Sequence, residues 1–122
     1  MKKGQLTNAD RGIEAVRALP DSIRVAGYDF QIVKWTTHEA SACSRWGEFS
    51  QIEQVIRIQE NIPSPFKAVD TFLHEVSHAI FWAYGIHDDD KEERIVSTMG
   101  TAWMTVHRDN PWLAPWLTKA LK

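Results

Sequence analysis

The sequence predicts an α+β fold, in which a small antiparallel or mixed sheet packs on a central helix and further helices follow. Short runs of alternating apolar and polar residues between positions 22 and 58 predict strands. After residue 64 the apolar residues recur every three or four positions, which predicts helices. Strands followed by helices are typical of α+β proteins. The 122 residues suit one domain, with a helix or extension over 1–20, the sheet over 22–58 and a helical part over 64–122.

The first predicted element is a helix from Asn8 to Leu19. Ile13, Val16 and Leu19 share helical spacing, and Asn8 is a candidate N-cap. Pro20 then ends the helix, because a residue that precedes proline avoids the helical conformation.

The predicted sheet begins with a β-hairpin over residues 22–35, where apolar and polar residues alternate on both sides of an Ala26-Gly27 turn. The polar stretch of short side chains from Thr36 to Arg45 predicts a loop or a poorly formed strand. Two further strands are predicted over residues 46–49 and 55–58, and the second has the stronger apolar character.

The strongest helix signal begins at Ser64-Pro65. Ser64 can accept a hydrogen bond from a free amide of the first turn, and Pro65 has no amide proton to leave unpaired. Apolar residues then keep helical spacing as far as Tyr84, and Gly85 is a suitable C-cap.

Two more helices are predicted downstream. The first follows a turn at Asp88 to Asp90 and ends at Asp109-Asn110-Pro111. The second covers Trp112 to Leu121, where leucine recurs every fourth residue. We interpret Trp112 and Trp116 as packing residues, with a partner-binding surface as the alternative.

Composition and charge limit the classes of partner. The formal net charge is -2, so we expect no nucleic-acid partner, since such proteins carry a basic footprint. No apolar stretch reaches the length of a membrane span or follows the basic start of the chain as in a signal peptide. The one cysteine, Cys43, cannot form an internal disulfide and is interpreted as a small half-buried residue. We therefore expect a soluble protein of a reducing cytoplasm with no membrane partner.

The segment His74-Glu75-Val76-Ser77-His78 carries the candidate chemistry. Residues four apart lie on one face of a helix, so His74 and His78 can hold one metal ion through ring nitrogens at about 2.0–2.1 Å. Glu75 is rotated around the helix and is placed better as a base than as a ligand. In a zinc site it can take a proton from the water that attacks a carbonyl group. The sequence therefore predicts Zn²⁺ as cofactor and a peptide or protein as substrate.

Two histidines leave a catalytic zinc site one protein ligand short. We choose Glu93, which begins the next predicted helix, with Ser97 one turn later as its hydrogen-bonding partner. Glu92 is the next candidate, and the remaining candidates are His87, Asp88 and their neighbours. A structural role is the alternative for Glu93, because with Asp90 as N-cap it would occupy a capping-box position.

These residues resemble the gluzincin metallopeptidases, which combine a His-Glu-x-x-His helix with a glutamate ligand on the next helix. The chain is most similar to the small phage- and prophage-encoded members called minigluzincins. The resemblance covers residues 22–117. The segments that carry it are Val55-Ile56-Arg57-Ile58, Leu73 to Ile80, Glu92-Glu93-Arg94-Ile95-Val96 and Arg108-Asp109-Asn110-Pro111.

The resemblance implies a zincin-like fold in which His74, His78 and Glu93 bind zinc and Glu75 is the general base. It also implies that the strand before the motif helix is the edge on which an extended substrate pairs, so that Arg57 lines the cleft. A phage-encoded protein of this kind would act in the cytoplasm of the bacterial host. Two alternatives stay open: a non-catalytic zincin-fold phage regulator or protein-binding module, and a metal-free domain with a coincidental motif.

Overall fold

The computed structural model describes residues 5–36, 45–87 and 89–122, and within them the chain forms four helices and one four-stranded sheet. In chain order the elements are α1 (Asn8–Arg17), β1 (Ser22–Val25), β2 (Tyr28–Trp35), β3 (Gly47–Ser50), β4 (Val55–Gln59), α2 (Pro65–Tyr84), α3 (Glu92–Asp109) and α4 (Leu113–Ala120). This arrangement confirms the predicted α+β class. Most of the predicted loop at residues 36–45, including Cys43, lies outside the described residues, as does Asp88.

The sheet is mixed, and its strand order is β1-β2-β4-β3. β1 and β2 form the predicted antiparallel hairpin, with Ile23 opposite Phe30. β2 runs parallel to β4, whereas β3 runs antiparallel to β4. Among the described residues β3 is therefore an edge strand, and β4 lies inside the sheet.

α2 is the central helix, and it begins and ends where the sequence predicts. The Ser64 hydroxyl accepts a hydrogen bond from the Lys67 amide at 3.1 Å, and Gly85 closes the helix in the left-handed conformation. Its apolar face packs on the sheet and the other helices. The largest fully buried side chains of this core belong to Phe30, Phe72, Ile23, Ile56, Ile58, Ile62 and Ile80.

α1 has a different N-cap from the predicted one. The Thr7 hydroxyl, not Asn8, accepts a hydrogen bond from the Asp10 amide at 3.0 Å, and the Asp10 carboxylate accepts one from the Thr7 amide at 3.1 Å. This reciprocal pair satisfies two amides that the helix itself leaves free. α1 also approaches the chain before α2 closely, because a Cβ atom at Gly12 would lie only 2.6 Å from the Ile62 carbonyl oxygen.

Two buried side chains with polar groups hydrogen-bond the C-terminal helices to the rest of the fold. Asn110, at the end of α3, accepts a hydrogen bond from the Arg24 amide at 2.9 Å and donates to the Arg24 carbonyl at 2.7 Å. Trp116, on α4, donates through Nε1 to the Ala15 carbonyl at 2.9 Å. Trp116 is thus a packing residue, as interpreted, and its burial contradicts a partner-binding surface at this position.

α3 is buried over only a small part of its length. Of its 18 residues, Ala102 and Val106 alone are buried, and both lie in its second half. Its first turn projects from the fold, with Glu92 and Glu93 exposed. Within the described part of the chain, no helix combines the length and the apolar character that crossing a membrane requires.

Candidate metal centre

His74 and His78 lie one turn apart on α2, and their imidazole rings approach each other. The two Nε2 atoms are 3.2 Å apart, and the ring planes are inclined at 83°. Two nitrogen ligands of a tetrahedral zinc ion, each at about 2.0–2.1 Å, would be about 3.3 Å apart. Both side chains are exposed, so an ion has access from solvent. The pair therefore fits two positions of a zinc ligand set, although the same separation also permits a hydrogen bond between the rings.

Glu75 projects from a different face of α2 and is buried, with 7% of its surface exposed. Burial raises the pKa of the Glu75 carboxyl group above its ordinary value, while positive charge on His74 and His78 opposes this rise. Glu48 adds to the rise in pKa, and Arg45 opposes it. The helix thus separates an exposed imidazole pair from a buried carboxyl group one residue away.

The edge strand β3 passes directly against this carboxyl group. A Cβ atom at Gly47 would lie 2.8 Å from Thr71 Cγ2 and 3.1 Å from Glu75 Oε2. An added methyl group at this position would force the Thr71 or Glu75 side chain, or the strand itself, to shift. An isolated glycine in a predicted strand is a known sign of close backbone approach, and it was the one signal in the sequence for this contact.

The imidazole pair, Glu75 and the edge strand border one open depression of about 320 Å³. Its lining residues are Arg45, Gly47, Glu48, Phe49, His74, Glu75 and His78. Sequence reasoning selected the three α2 residues of this set and missed the four contributed by β3 and the residues before it. They were missed because the pairing of β3 next to α2 depends on contacts between distant segments.

The register of β3 directs backbone groups along the depression. The Trp46 carbonyl accepts a hydrogen bond from the Gln59 amide at 2.8 Å, and β3 continues antiparallel to β4 from there. Because hydrogen-bonded and non-hydrogen-bonded pairs alternate in such a ladder, the N–H and C=O groups of Gly47 and Phe49 point away from β4. Within the described residues no further strand pairs with this side of β3.

The expectation that the strand before α2 forms the edge is wrong. That strand is β4, which lies between β2 and β3. Arg57 on β4 does not line the depression, because its guanidinium group bonds the Glu48 carboxylate at 2.7 Å and the Glu53 carboxylate at 2.6 Å. Arg57 instead forms an ion pair with Glu48, its cross-strand neighbour on β3. The edge strand beside the histidines is β3.

The third candidate ligand lies apart from the histidine pair. Among the described residues no third His, Cys, Asp or Glu joins His74 and His78 in a group that could hold a metal ion. Glu93 is exposed on the first turn of α3, where its Oε1 accepts the predicted hydrogen bond from Ser97 Oγ at 3.3 Å. Glu92 is exposed beside it, and His87 is exposed before the helix.

The structural alternative for Glu93 is wrong. A capping box would need Asp90 as N-cap, but the N-cap of α3 is Lys91, and it has no side-chain capping bond. The Asp90 carboxylate instead accepts hydrogen bonds from the His87 amide at 2.7 Å and from the Arg94 guanidinium group. The Glu93 side chain is therefore not occupied in capping its own helix.

Comparison with known proteins identifies no family for this chain. No protein-family model, no curated protein and no solved structure matches this chain. A function for this chain is therefore inferred from the site itself: an imidazole pair, a buried carboxyl group and the edge of a sheet.

Proposed function

We propose that this chain is a zinc-dependent peptidase of the gluzincin type, in which His74, His78 and Glu93 hold the metal and Glu75 is the general base. The observation that carries the proposal is the 3.2 Å approach of the two Nε2 atoms beside the buried Glu75 carboxyl group. Zinc is the metal that this donor set favours when a carboxylate completes it.

When bound, zinc supplies a Lewis acid that polarises a carbonyl oxygen and makes water more acidic. The chain supplies the proton transfers. Glu75 accepts a proton from the water molecule as the water oxygen bonds to the carbonyl carbon of the peptide. It then donates this proton to the amide nitrogen as the carbon–nitrogen bond breaks, which leaves a carboxylic acid and an amine. The position of Glu75 at the border of the open depression supports this role.

The edge strand supplies the means to orient a substrate. The outward N–H and C=O groups of Gly47 and Phe49 can pair with an extended peptide, as exposed sheet edges do in many complexes. Gly47 lies against Glu75, so a peptide on this edge passes the carboxyl group. This proposal replaces the pairing on β4 that the family resemblance implies.

Completion of the ligand set requires the first turn of α3 to approach α2. None of the first ten residues of α3, 92–101, is fully buried, and within this segment Met99 packs against the core, so the approach can involve the first turn with little loss of core packing. Ser97 already bonds Glu93 and would orient the carboxylate as a ligand. The proposal assigns the chain to the cytoplasm of a bacterial host, as a phage-encoded protein.

Replacing the general base tests the catalytic assignment. Glu75→Gln should retain zinc and lower the rate of peptide cleavage by about 10²- to 10⁴-fold, because the amide cannot accept the proton. Cleavage of a quenched fluorescent peptide library, with zinc content measured on the same samples, gives both quantities. Glu53→Gln, at an exposed carboxylate outside the depression, is the control. Unchanged cleavage in Glu75→Gln would show that Glu75 is not the base.

A non-catalytic zincin-fold regulator or protein-binding module is the second candidate. The separation of Glu93 from the histidine pair favours it, because the β3 edge could bind a peptide without a complete zinc site. Peptide binding that persists in a zinc-loaded protein with no hydrolysis of any library member would select this candidate.

A further inference from the structure

Four aromatic rings, of which Phe49 lines the depression, pack together, and we call them the aromatic cluster: Tyr28, Phe30, Phe49 and Trp82. Phe30 is fully buried at its centre, with its ring centroid 5.5 Å from that of Phe49 and 5.9 Å from that of Trp82. Tyr28 meets Trp82 nearly edge to face at 4.8 Å. Tyr28 is 42% exposed, and the rings of Phe49 and Trp82 are half-buried. The cluster therefore presents a fixed apolar surface to solvent.

This surface is continuous with the candidate metal centre. Trp82 follows His78 by four residues, so it lies one turn further along the same face of α2 as the two histidines. Phe49 belongs both to the cluster and to the lining of the depression. Gly47 and Phe49 are two residues apart on β3, so they share one face of the strand and both direct backbone groups outward. A peptide on the β3 edge would pass the Glu75 carboxyl group and then the cluster.

We propose that the aromatic cluster is a specificity subsite for a large apolar side chain, preferably aromatic, of a peptide bound along β3. This inference rests on the proposed function and names the class of substrate. Two residues of strand span about 6.6–6.8 Å, so the subsite accepts a side chain one or two positions from the cleaved bond. β3 runs from Gly47, beside Glu75, to Phe49, in the cluster. A peptide antiparallel to β3 therefore places this side chain on the N-terminal side of the bond.

The geometry of the rings explains the preference. Tilted and edge-to-face ring contacts leave ring edges and faces open to a further aromatic ring, which prefers the same geometry. Phe30 at the base is fixed by the core, so the surface is formed before the ligand arrives and loses little freedom on binding. A side chain of this size would cover apolar surface that is otherwise in contact with water.

A matched pair of tryptophan variants tests the subsite. Peptides that differ only by Phe or Ala on the N-terminal side of the cleaved bond are compared by kcat/KM. The wild-type protein should prefer Phe by at least about tenfold. Trp82→Leu should reduce this ratio to about threefold or less, whereas Trp112→Leu, whose ring contacts Phe72 and not the cluster, should leave it unchanged. Tyr28→Ala, at a more exposed ring, is the second variant if Trp82→Leu does not fold by circular dichroism.

A measurement of peptide binding tests the subsite separately from the proposed catalytic function. The same peptides, labelled with fluorescein, are titrated against Glu75→Gln protein and followed by anisotropy. A Phe preference in binding that Trp82→Leu abolishes supports the subsite, even if no peptide is ever cleaved. Cleavage without a Phe preference, a preference that Trp82→Leu leaves intact, or the absence of binding by both peptides would overturn the subsite.

Discussion

At the level of single residues, neighbouring positions on α2 place one side chain in solvent and the next in the protein interior. Each residue turns the direction of the side chain by about 100°, which takes His74 to solvent and Glu75 into the contact with β3. Exposure lets His74 and His78 receive an ion, whereas burial keeps Glu75 against Gly47 and raises its pKa. The rotation of Glu75 away from the histidine stripe follows from the spacing of the motif and was predicted from the sequence, whereas its burial against β3 was not.

Neighbouring glutamates test the third ligand. Glu93→Ala should weaken zinc binding by at least about tenfold, because the metal loses a charged ligand. Glu92→Ala removes the same charge one residue away and should leave zinc affinity unchanged within error. Competition against a chromophoric chelator measures both affinities. If only Glu92→Ala weakens zinc binding, Glu92 is the ligand. If neither substitution weakens zinc binding, α3 supplies no ligand to the metal site.

At the scale of elements, the contact between β3 and α2 determines the shape of the site. Gly47 lets the edge strand lie against Thr71 and Glu75, and the antiparallel register then directs the outward backbone groups along the depression. A side chain at position 47 would separate strand from helix. The site is therefore sensitive to the volume of one residue that is neither a ligand nor a base.

Two glycine substitutions test this contact. Gly47→Ala should lower the free energy of unfolding by about 1–3 kcal/mol, because the added methyl group meets Thr71 and Glu75 at less than contact distance. Gly100→Ala, on an exposed face of α3 with no atom near the added methyl group, should instead raise it by up to about 1 kcal/mol. Urea denaturation measures both changes. Equal stability of Gly47→Ala and wild type would contradict the close approach.

The sequence predicted the elements more completely than their arrangement. The hairpin and α2 were predicted because their signals are local: alternation around Ala26-Gly27, the Ser64-Pro65 start and the Gly85 end. The N-cap of α1 was misplaced although the Thr7-x-x-Asp10 capping box was present in the sequence. The edge strand was assigned to β4 instead of β3, because strand order depends on pairings that no local pattern encodes.

At the scale of the whole molecule, the packing is uneven. The sheet, α1, α2 and α4 share one core, to which α3 contributes Ala102 and Val106 from its second half. Asn110 fixes the C-terminal end of α3 to β1, while the first turn with Glu93 stays exposed. The end of α3 at Asn110 was predictable from sequence. Its N-cap and its docking were not, since the docking depends on tertiary packing and on the metal that we propose.

Zinc should therefore change the dynamics of one segment. If Glu93 joins the histidine pair, residues 92–101 should gain protection from hydrogen exchange on zinc addition, while the core strands change little. At 100 times the dissociation constant, zinc should also raise the free energy of unfolding by about 2.7 kcal/mol. Exchange mass spectrometry and thermal unfolding with and without zinc measure these effects. A Glu93→Ala protein should lose the added protection, and protection that persists there would contradict the docking of α3.

We propose that His74 and His78 hold a zinc ion, and metal content after exhaustive dialysis measures this directly. Wild-type protein, a His74→Ala/His78→Ala variant and a His107→Ala control are compared by plasma mass spectrometry. His107 is exposed outside the depression, so its loss should have no effect. We expect about one zinc ion per chain in wild type and control and none in His74→Ala/His78→Ala. Zinc retained by the latter variant, or absent from all three proteins, would show that this histidine pair does not hold zinc.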